Sequence, residues 1–236
     1  MTGQKQITHY PLAPKIQIIL TTEPELELPV SLEDEIELIW LKEKAKHNLY
    51  NSLLFSLSAF DEHRLIGRFI EYRYYIASRH SRKLQEQLQI FPLGISALTL
   101  SNDHLLVGTR DMKLPSFGGF TECVPSGGIE ARAYMQGEVD FIAQAMWELQ
   151  EEARISEKQV NEVHQVGLFY SPHEGVYDIG LVIRLNGDEF DREPDGTNEY
   201  PLLKWYSFEE WEEKLESSAG KIVPLSKMLW STYRKK

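Results

Sequence analysis

The chain has a single cysteine, Cys123, in 236 residues. That excludes a disulfide framework and a thiolate metal site and fits a reducing compartment, so a cytoplasmic location is expected. It lacks an apolar run long enough to span a bilayer, and its N-terminus has no signal-peptide core. Positive charge is scarce too: 25 Lys and Arg stand against 36 Asp and Glu, a net charge of −11. Such a chain is not expected to track a nucleic-acid backbone, and no basic stripe argues otherwise. An anionic ligand would have to be held by metal and a few local Arg or Lys side chains. With 42% hydrophobic and 26% charged residues, the composition is that of a globular protein with one large domain, or one domain and an extension.

The first fifteen residues read as a loose leader, followed by a strand at 16–20 and an acidic, proline-bearing loop. Ser31 to Asp34 resembles a capping box opening a helix that buries Ile36, Ile39 and Trp40. Two strands, Leu53–Phe60 and Leu65–Tyr75, flank a turn at 61–64, and a polar helix runs from about Ser78 to Leu88. From Phe91 the alternation is that of a mixed sheet, with strands at 95–100, 105–109, 119–124, 163–170, 176–185 and 202–205. Ser207 and Pro224 open the two closing helices. Residues 1–90 are thus expected to form an α+β extension packed on a 91–236 core, an α/β sandwich with a mixed sheet.

The most informative stretch is Val124 to Ile155. Ala145, Leu149 and Ala153 recur near the helical period, and Glu148, Glu151 and Glu152 fall at i, i+3 and i+4. Three carboxylates gathered on one side of a helix repel each other unless a cation lies between them. A hard ion such as Mg2+, or Mn2+, takes oxygen ligands and is commonly shared between carboxylates and substrate phosphates. The Pro125-Ser126-Gly127-Gly128 turn ahead of the helix supplies backbone able to bend tightly and approach a ligand. A solvated acidic face is the plain alternative.

These residues resemble a Nudix box. Glu148-Leu149-Gln150-Glu151-Glu152 matches its helical core, and Gly127-Gly128 and Gly137-Glu138 match its loop, with Glu138 one residue out of register. Trp147 stands where the family has Arg, and Arg154 where it has Gly. The UDP-glucose and UDP-galactose diphosphatases, an atypical branch, share both departures. Upstream, Trp40, Asn48-Leu49-Tyr50-Asn51-Ser52, Glu71-Tyr72-Arg73-Tyr74-Tyr75 and Pro92-Leu93-Gly94-Ile95-Ser96-Ala97 are similar to that branch in the same order.

The resemblance implies a Nudix-type α/β/α sandwich and a magnesium-dependent hydrolase of a small nucleotide substrate, most naturally a UDP-sugar. Glu148, Glu151 and Glu152 would be metal ligands, and Glu138 a further metal or base residue, or else a carboxylate placed for the helix dipole. An ADP-ribose or dinucleotide diphosphatase, or a non-catalytic nucleotide sensor, remains open, as does monomer against homodimer. Arg110, at a strand end, would grip a phosphate or form an ion pair. Tyr72, Arg73 and Tyr75 would stack on a base and hold phosphate or ribose, or belong to the core. Glu130, Lys113, His173, Glu174 and Glu199 are further polar candidates, each with a plain surface alternative. Cys123 reads as a buried, inert thiol.

Overall fold

The computed structural model describes residues 6–22, 27–47, 49–192, 194–217 and 221–235. Residues 1–5 of the expected leader, part of the acidic loop and Asn48 lie outside the described residues. In chain order the elements are β1 (Thr8–Tyr10), β2 (Gln17–Leu20), α1 (Val30–His47), β3 (Leu53–Phe60), β4 (Arg64–Glu71), α2 (Tyr72–His80) and α3 (Arg82–Leu88). They continue with β5 (Leu93–Ser101), β6 (His104–Thr109), β7 (Thr121–Cys123), β8 (Ser126–Gly128), β9 (Tyr134–Met135), β10 (Glu138–Val139) and α4 (Phe141–Ala153). The chain closes with β11 (Val160–Ser171), β12 (Val176–Leu185), β13 (Leu202–Ser207), α5 (Phe208–Ser217) and α6 (Pro224–Tyr233).

The main sheet has eight strands in the path β1-β11-β12-β5-β6-β13, with β7 on β6 and β8 on β5. It is mixed, because β12 and β5 run parallel while their other neighbours are antiparallel. Alternation along β5 sends Leu93, Ile95 and Ala97 into the core beneath α4, where Ala145, Leu149 and Ala153 meet them. Leu98 and Leu100 enter the opposite core, with Leu229 and Trp230 of α6 and Trp211 of α5. Helices thus cover both faces, the α/β/α sandwich expected from the sequence. Leu149 is wholly buried, so truncating it to alanine would cost about 2–5 kcal/mol and loosen the acidic helix.

The first part of the chain adds a three-stranded sheet, β2-β4-β3, and a cluster joining Ile36 of α1, Ala77 of α2 and Leu84 of α3. It shares its interior with the main sheet, since Ile18, Phe55 and Leu65 lie in the same core as Leu149. Backbone bonds also cross, from Phe55 N–H to the Ile129 carbonyl (2.8 Å) and from Leu57 N–H to the Phe91 carbonyl (2.8 Å).

Several local expectations are corrected. Tyr72 to Tyr75 are helical, not the end of a strand. Pairing of β4 ends at Glu71 opposite Leu53, and beyond it Ile76 and Ala77 are buried by turning into a helix. The polar helix is two helices divided at Ser81, whose hydroxyl accepts from Leu84 N–H as the cap of α3. Within the expected leader, Thr8–Tyr10 pairs with Leu168–Tyr170 as an edge strand. The helix expected from a capping box at Ser31 starts one residue earlier, with the Pro29 carbonyl accepting from Leu32 N–H (2.9 Å). At α5 the capping box forms reciprocally between Ser207 and Glu210.

Candidate active site

Helix α4 is capped by Asp140, whose Oδ1 accepts from Ala143 N–H (2.9 Å). With Ala145, Leu149 and Ala153 against the sheet, Glu148 and Glu152 are turned towards β8 and Glu151 towards solvent. Strand β8 pairs with β5 through Ser126, Gly127 and Gly128. The expected free glycine turn is therefore a short strand, and its close approach is made to the helix. A Cβ on Gly127 would lie 2.4–2.9 Å from the carboxyl atoms of Glu148, so only glycine lets that carboxylate lie on the strand. Ser126 N–H donates to Glu152 Oε2 (3.0 Å). Buried Gln144 donates from Nε2 to Glu148 Oε1 (2.6 Å), and its own Oε1 accepts from Glu130 N–H (3.3 Å).

The three helix carboxylates line one cleft of about 820 Å³ together with Glu199, Arg154 and the Gly196–Asn198 loop. Their electrostatics are strained. Glu152 is 3% exposed, its Oε1 has no hydrogen-bond partner, and burial, then Glu199, Glu148 and Glu122, raise its pKa well above the usual carboxylate range. Burial likewise pushes Glu148 up to about 7, with Glu151, Glu130 and Glu199 adding to the rise against the Gln144 hydrogen bond. Glu199 is raised by burial, although Arg110 opposes the shift. Among the described residues no three His, Cys, Asp or Glu side chains converge as a ready ligand set. Glu151 is bonded to Arg132 Nη1 (2.9 Å), Glu148 to Gln144 and Glu152 to Ser126.

The other candidates are distributed around this centre. Arg110 is committed to carboxylates: Nη1 bonds Glu122 Oε2, and Nη2 lies 3.6 Å from Glu199 Oε1. Glu122, 6% exposed on β7, also accepts from Tyr200 Oη (2.8 Å). Glu122 was not among the sequence candidates, although a lone acidic residue in an apolar strand is a signal of a buried partner. Glu138 is exposed on the β9–β10 hairpin, where its Oε1 accepts from Gln17 Nε2 (2.7 Å). It does not line the cleft. Arg73 is held by Glu33 (3.0 Å), Glu71 (2.9 Å) and Glu37 (3.6 Å), and Tyr72 packs on Trp40 and Tyr75. Neither lines the cleft. Lys113 N–H donates to Asp111 Oδ1 (2.8 Å), His173 lies against Phe117, and the Glu174 carbonyl accepts from Tyr75 Oη (3.1 Å). Cys123 is buried, which pushes its thiol up to about 12, as an inert thiol requires.

Trp147 and Arg154, the departures from the box, each have a visible setting. Arg154 ends α4 in the left-handed region (φ 57°, ψ 22°), its N–H bonding the Gln150 and Leu149 carbonyls. It adopts the conformation that glycine favours, and the helix does not run on. The Trp147 ring is covered by the Arg132 guanidinium, 4.8 Å from the ring centroid. Among the described residues no helix is long and apolar enough to cross a membrane.

No family model matches the sequence, and no curated protein does. Among solved structures the chain is similar to a NUDIX hydrolase from Nitrosomonas europaea, at 15% identity over 61% of this chain and 89% of that one, TM-score 0.44. It is similar to a MutT protein from Methanosarcina mazei at 14% identity over 61% and 94%, TM-score 0.44. A bifunctional NMN adenylyltransferase/ADP ribose pyrophosphatase from Francisella tularensis, in complex with AMP and a manganese ion, matches at 16% over 69% and 46%, TM-score 0.49. At identities this low the chemistry of the site rests on the side chains of this chain alone.

Proposed function

We propose that the chain is a divalent-cation-dependent hydrolase of the Nudix type, cleaving the diphosphate bond of a nucleoside diphosphate joined to a second group. A UDP-sugar such as UDP-glucose or UDP-galactose is the substrate that the sequence resemblance favours, giving UMP and a sugar 1-phosphate. The observation that carries the reading is Glu152. Its Oε1 is buried and unpartnered, and Glu148, Glu199 and Glu122 raise its pKa further. A carboxylate so placed must hold a proton or meet a cation. The donors are all carboxylate oxygens, which suits magnesium or manganese.

Glu148 and Glu152 would hold the cation, with Glu151 beside them. Bound there, it would offset the charge of the two phosphates and lower the pKa of a bound water. The chain's own groups do the rest. Ser126 N–H and Gln144 Nε2 each fix one oxygen of a carboxylate, so the other oxygen is presented without a search through rotamers. Arg154, on the wall of the cleft, can meet a phosphate oxygen, and Arg110 neutralises Glu122 and Glu199 behind it. Glu199 lines the same cleft and is the candidate base for the attacking water.

The test is product analysis of purified protein with Mg2+ or Mn2+ over a panel of UDP-glucose, UDP-galactose and ADP-ribose. UMP from the UDP-sugars is the expected result; AMP from ADP-ribose alone would reassign the substrate. A Glu151→Gln, Glu152→Gln double variant as fast as the parent would remove the site. Trp147, standing where the resembled family has Arg, favours one second reading, a nucleotide sensor, and binding of a UDP-sugar without turnover under either metal would establish it.

A further inference from the structure

Helix α4 has no cation of its own next to Glu148, because position 147 is a tryptophan. A guanidinium is nevertheless brought to that place from another part of the chain. Arg132 lies in the single helical turn Ala131–Ala133, between β8 and β9. Its Nη1 donates to Glu151 Oε1 (2.9 Å), its Nε lies 2.9 Å from Glu130 Oε2, and its Cζ lies over the Trp147 ring, 4.8 Å from the centroid. The turn is anchored to the start of the acidic helix: the Ala133 carbonyl accepts from Asp140 N–H (2.8 Å), and Ala133 itself is fully buried.

We propose that Arg132 is a positioning residue for the carboxylate site, with Trp147 as its platform; this rests on the reading of Glu148, Glu151 and Glu152 as cation ligands. Glu151 is the least constrained of the three, its side chain 58% exposed. Without a partner it would be repelled by Glu148 and Glu130 and spread over several rotamers in water. One guanidinium bonded to both Glu130 and Glu151 sets the distance between them. The flat face of Trp147 fixes the plane of that guanidinium, which an aliphatic side chain would leave free to rotate. Arg132 and Trp147 thus make one device from two residues far apart in sequence, aiming Glu151 at the cleft.

The sign of its effect on cation binding separates this role from its alternatives. An arginine that merely sat near the carboxylates, or competed with the cation for Glu151, would weaken Mn2+ binding, and removing it would tighten binding. A positioning arginine does the reverse.

The test is Mn2+ binding to the full chain by calorimetry, with kcat and KM for the nucleotide that the parent cleaves. Arg132→Ala should weaken Mn2+ binding and lower kcat by about tenfold each. KM for the nucleotide and the melting temperature in EDTA should change little, since the ion pairs are exposed. Arg132→Lys should recover part of the loss, and adding Trp147→Arg to Arg132→Ala, which returns a guanidinium from the helix itself, should recover more. Unchanged or tighter Mn2+ binding in Arg132→Ala overturns the proposal, as does a double variant that melts like the parent yet recovers no cation binding. A parent that binds Mn2+ in an Arg132-dependent way yet cleaves no nucleotide would end the hydrolase reading and leave this one standing.

Discussion

Replacing Glu148 by glutamine should make the cation-free protein more stable at pH 8 and leave it nearly unchanged at pH 4.5. The carboxyl of Glu148 moves from 4.5 to about 7 on folding, chiefly through burial. The folded state therefore holds its proton more tightly than the unfolded chain, and between those two values folding takes up a proton. Stability must fall as pH rises through that window, and above it the whole penalty is present. At about 1.4 kcal/mol per unit the shift corresponds to about 3 kcal/mol. Because Glu148 borders an open cleft, solvent screening reduces this to about 2 kcal/mol. For a chain of this length that is a melting-temperature difference on the order of 5 °C.

Glutamine keeps the shape, and its carbonyl oxygen can still accept from Gln144, so little else is lost. The assay is thermal and urea unfolding of parent and Glu148→Gln in EDTA across pH 4.5 to 8. Adding Mg2+ or Mn2+ at about a hundred times its dissociation constant should then stabilise the parent by about 2.7 kcal/mol. The variant should gain far less, so the order of stability reverses. A variant no more stable than the parent at pH 8 in EDTA, or a parent whose stability is flat over that range, would refute the reasoning.

Gly127→Ala should lower hydrolysis by about tenfold or more, because the new methyl would displace the Glu148 carboxyl it meets at 2.4–2.9 Å; full activity would mean that Glu148 need not lie on β8. Arg154→Gly should raise the melting temperature, by about 1 kcal/mol or less in stability, since glycine adopts the left-handed helix end without the Cβ penalty. A fall would mean that the Arg154 side chain contributes more than its backbone conformation costs. Arg110→Met should destabilise by about 3–5 kcal/mol in urea melts by stranding Glu122 at 6% exposure. Arg82→Met, at an ion pair whose side chains are 89% and 64% exposed, should stay within about 0.5 kcal/mol. Adding Glu122→Met should recover most of the Arg110→Met loss, and failure to do so would deny the pairing.

Local periodicity made much of the architecture legible. The short apolar-rich runs at 95–100, 105–109 and 176–185 mark the strands that became β5, β6 and β12, because a strand's side-chain pattern is written over a few neighbouring residues. The same holds for the three glutamates, whose spacing alone gathers them on one side of α4, beside the buried Leu149. Propensity misled at Tyr72–Tyr75. Three β-favouring tyrosines are helical there because the pairing partner of β4 had run out and the Ile36–Leu84 cluster needed Ala77.

By itself, then, the amino-acid order determined that one helix would carry three carboxylates after a glycine-bearing segment, on a mixed sheet, in an acidic chain with one inert thiol. Only the tertiary structure decided what surrounds those carboxylates. Strand pairing laid Gly127 under Glu148 and Ser126 N–H against Glu152. The loop before β13 brought Glu199 to their cleft, and the turn at Ala131–Ala133 set Arg132 over Trp147. It also left Glu138 on an outer hairpin with Gln17. The physical reason is range. Periodicity is written within one or two turns of chain, whereas burial, charge repulsion and ion pairing depend on residues that meet only when distant segments pack, and no local pattern records which of them will.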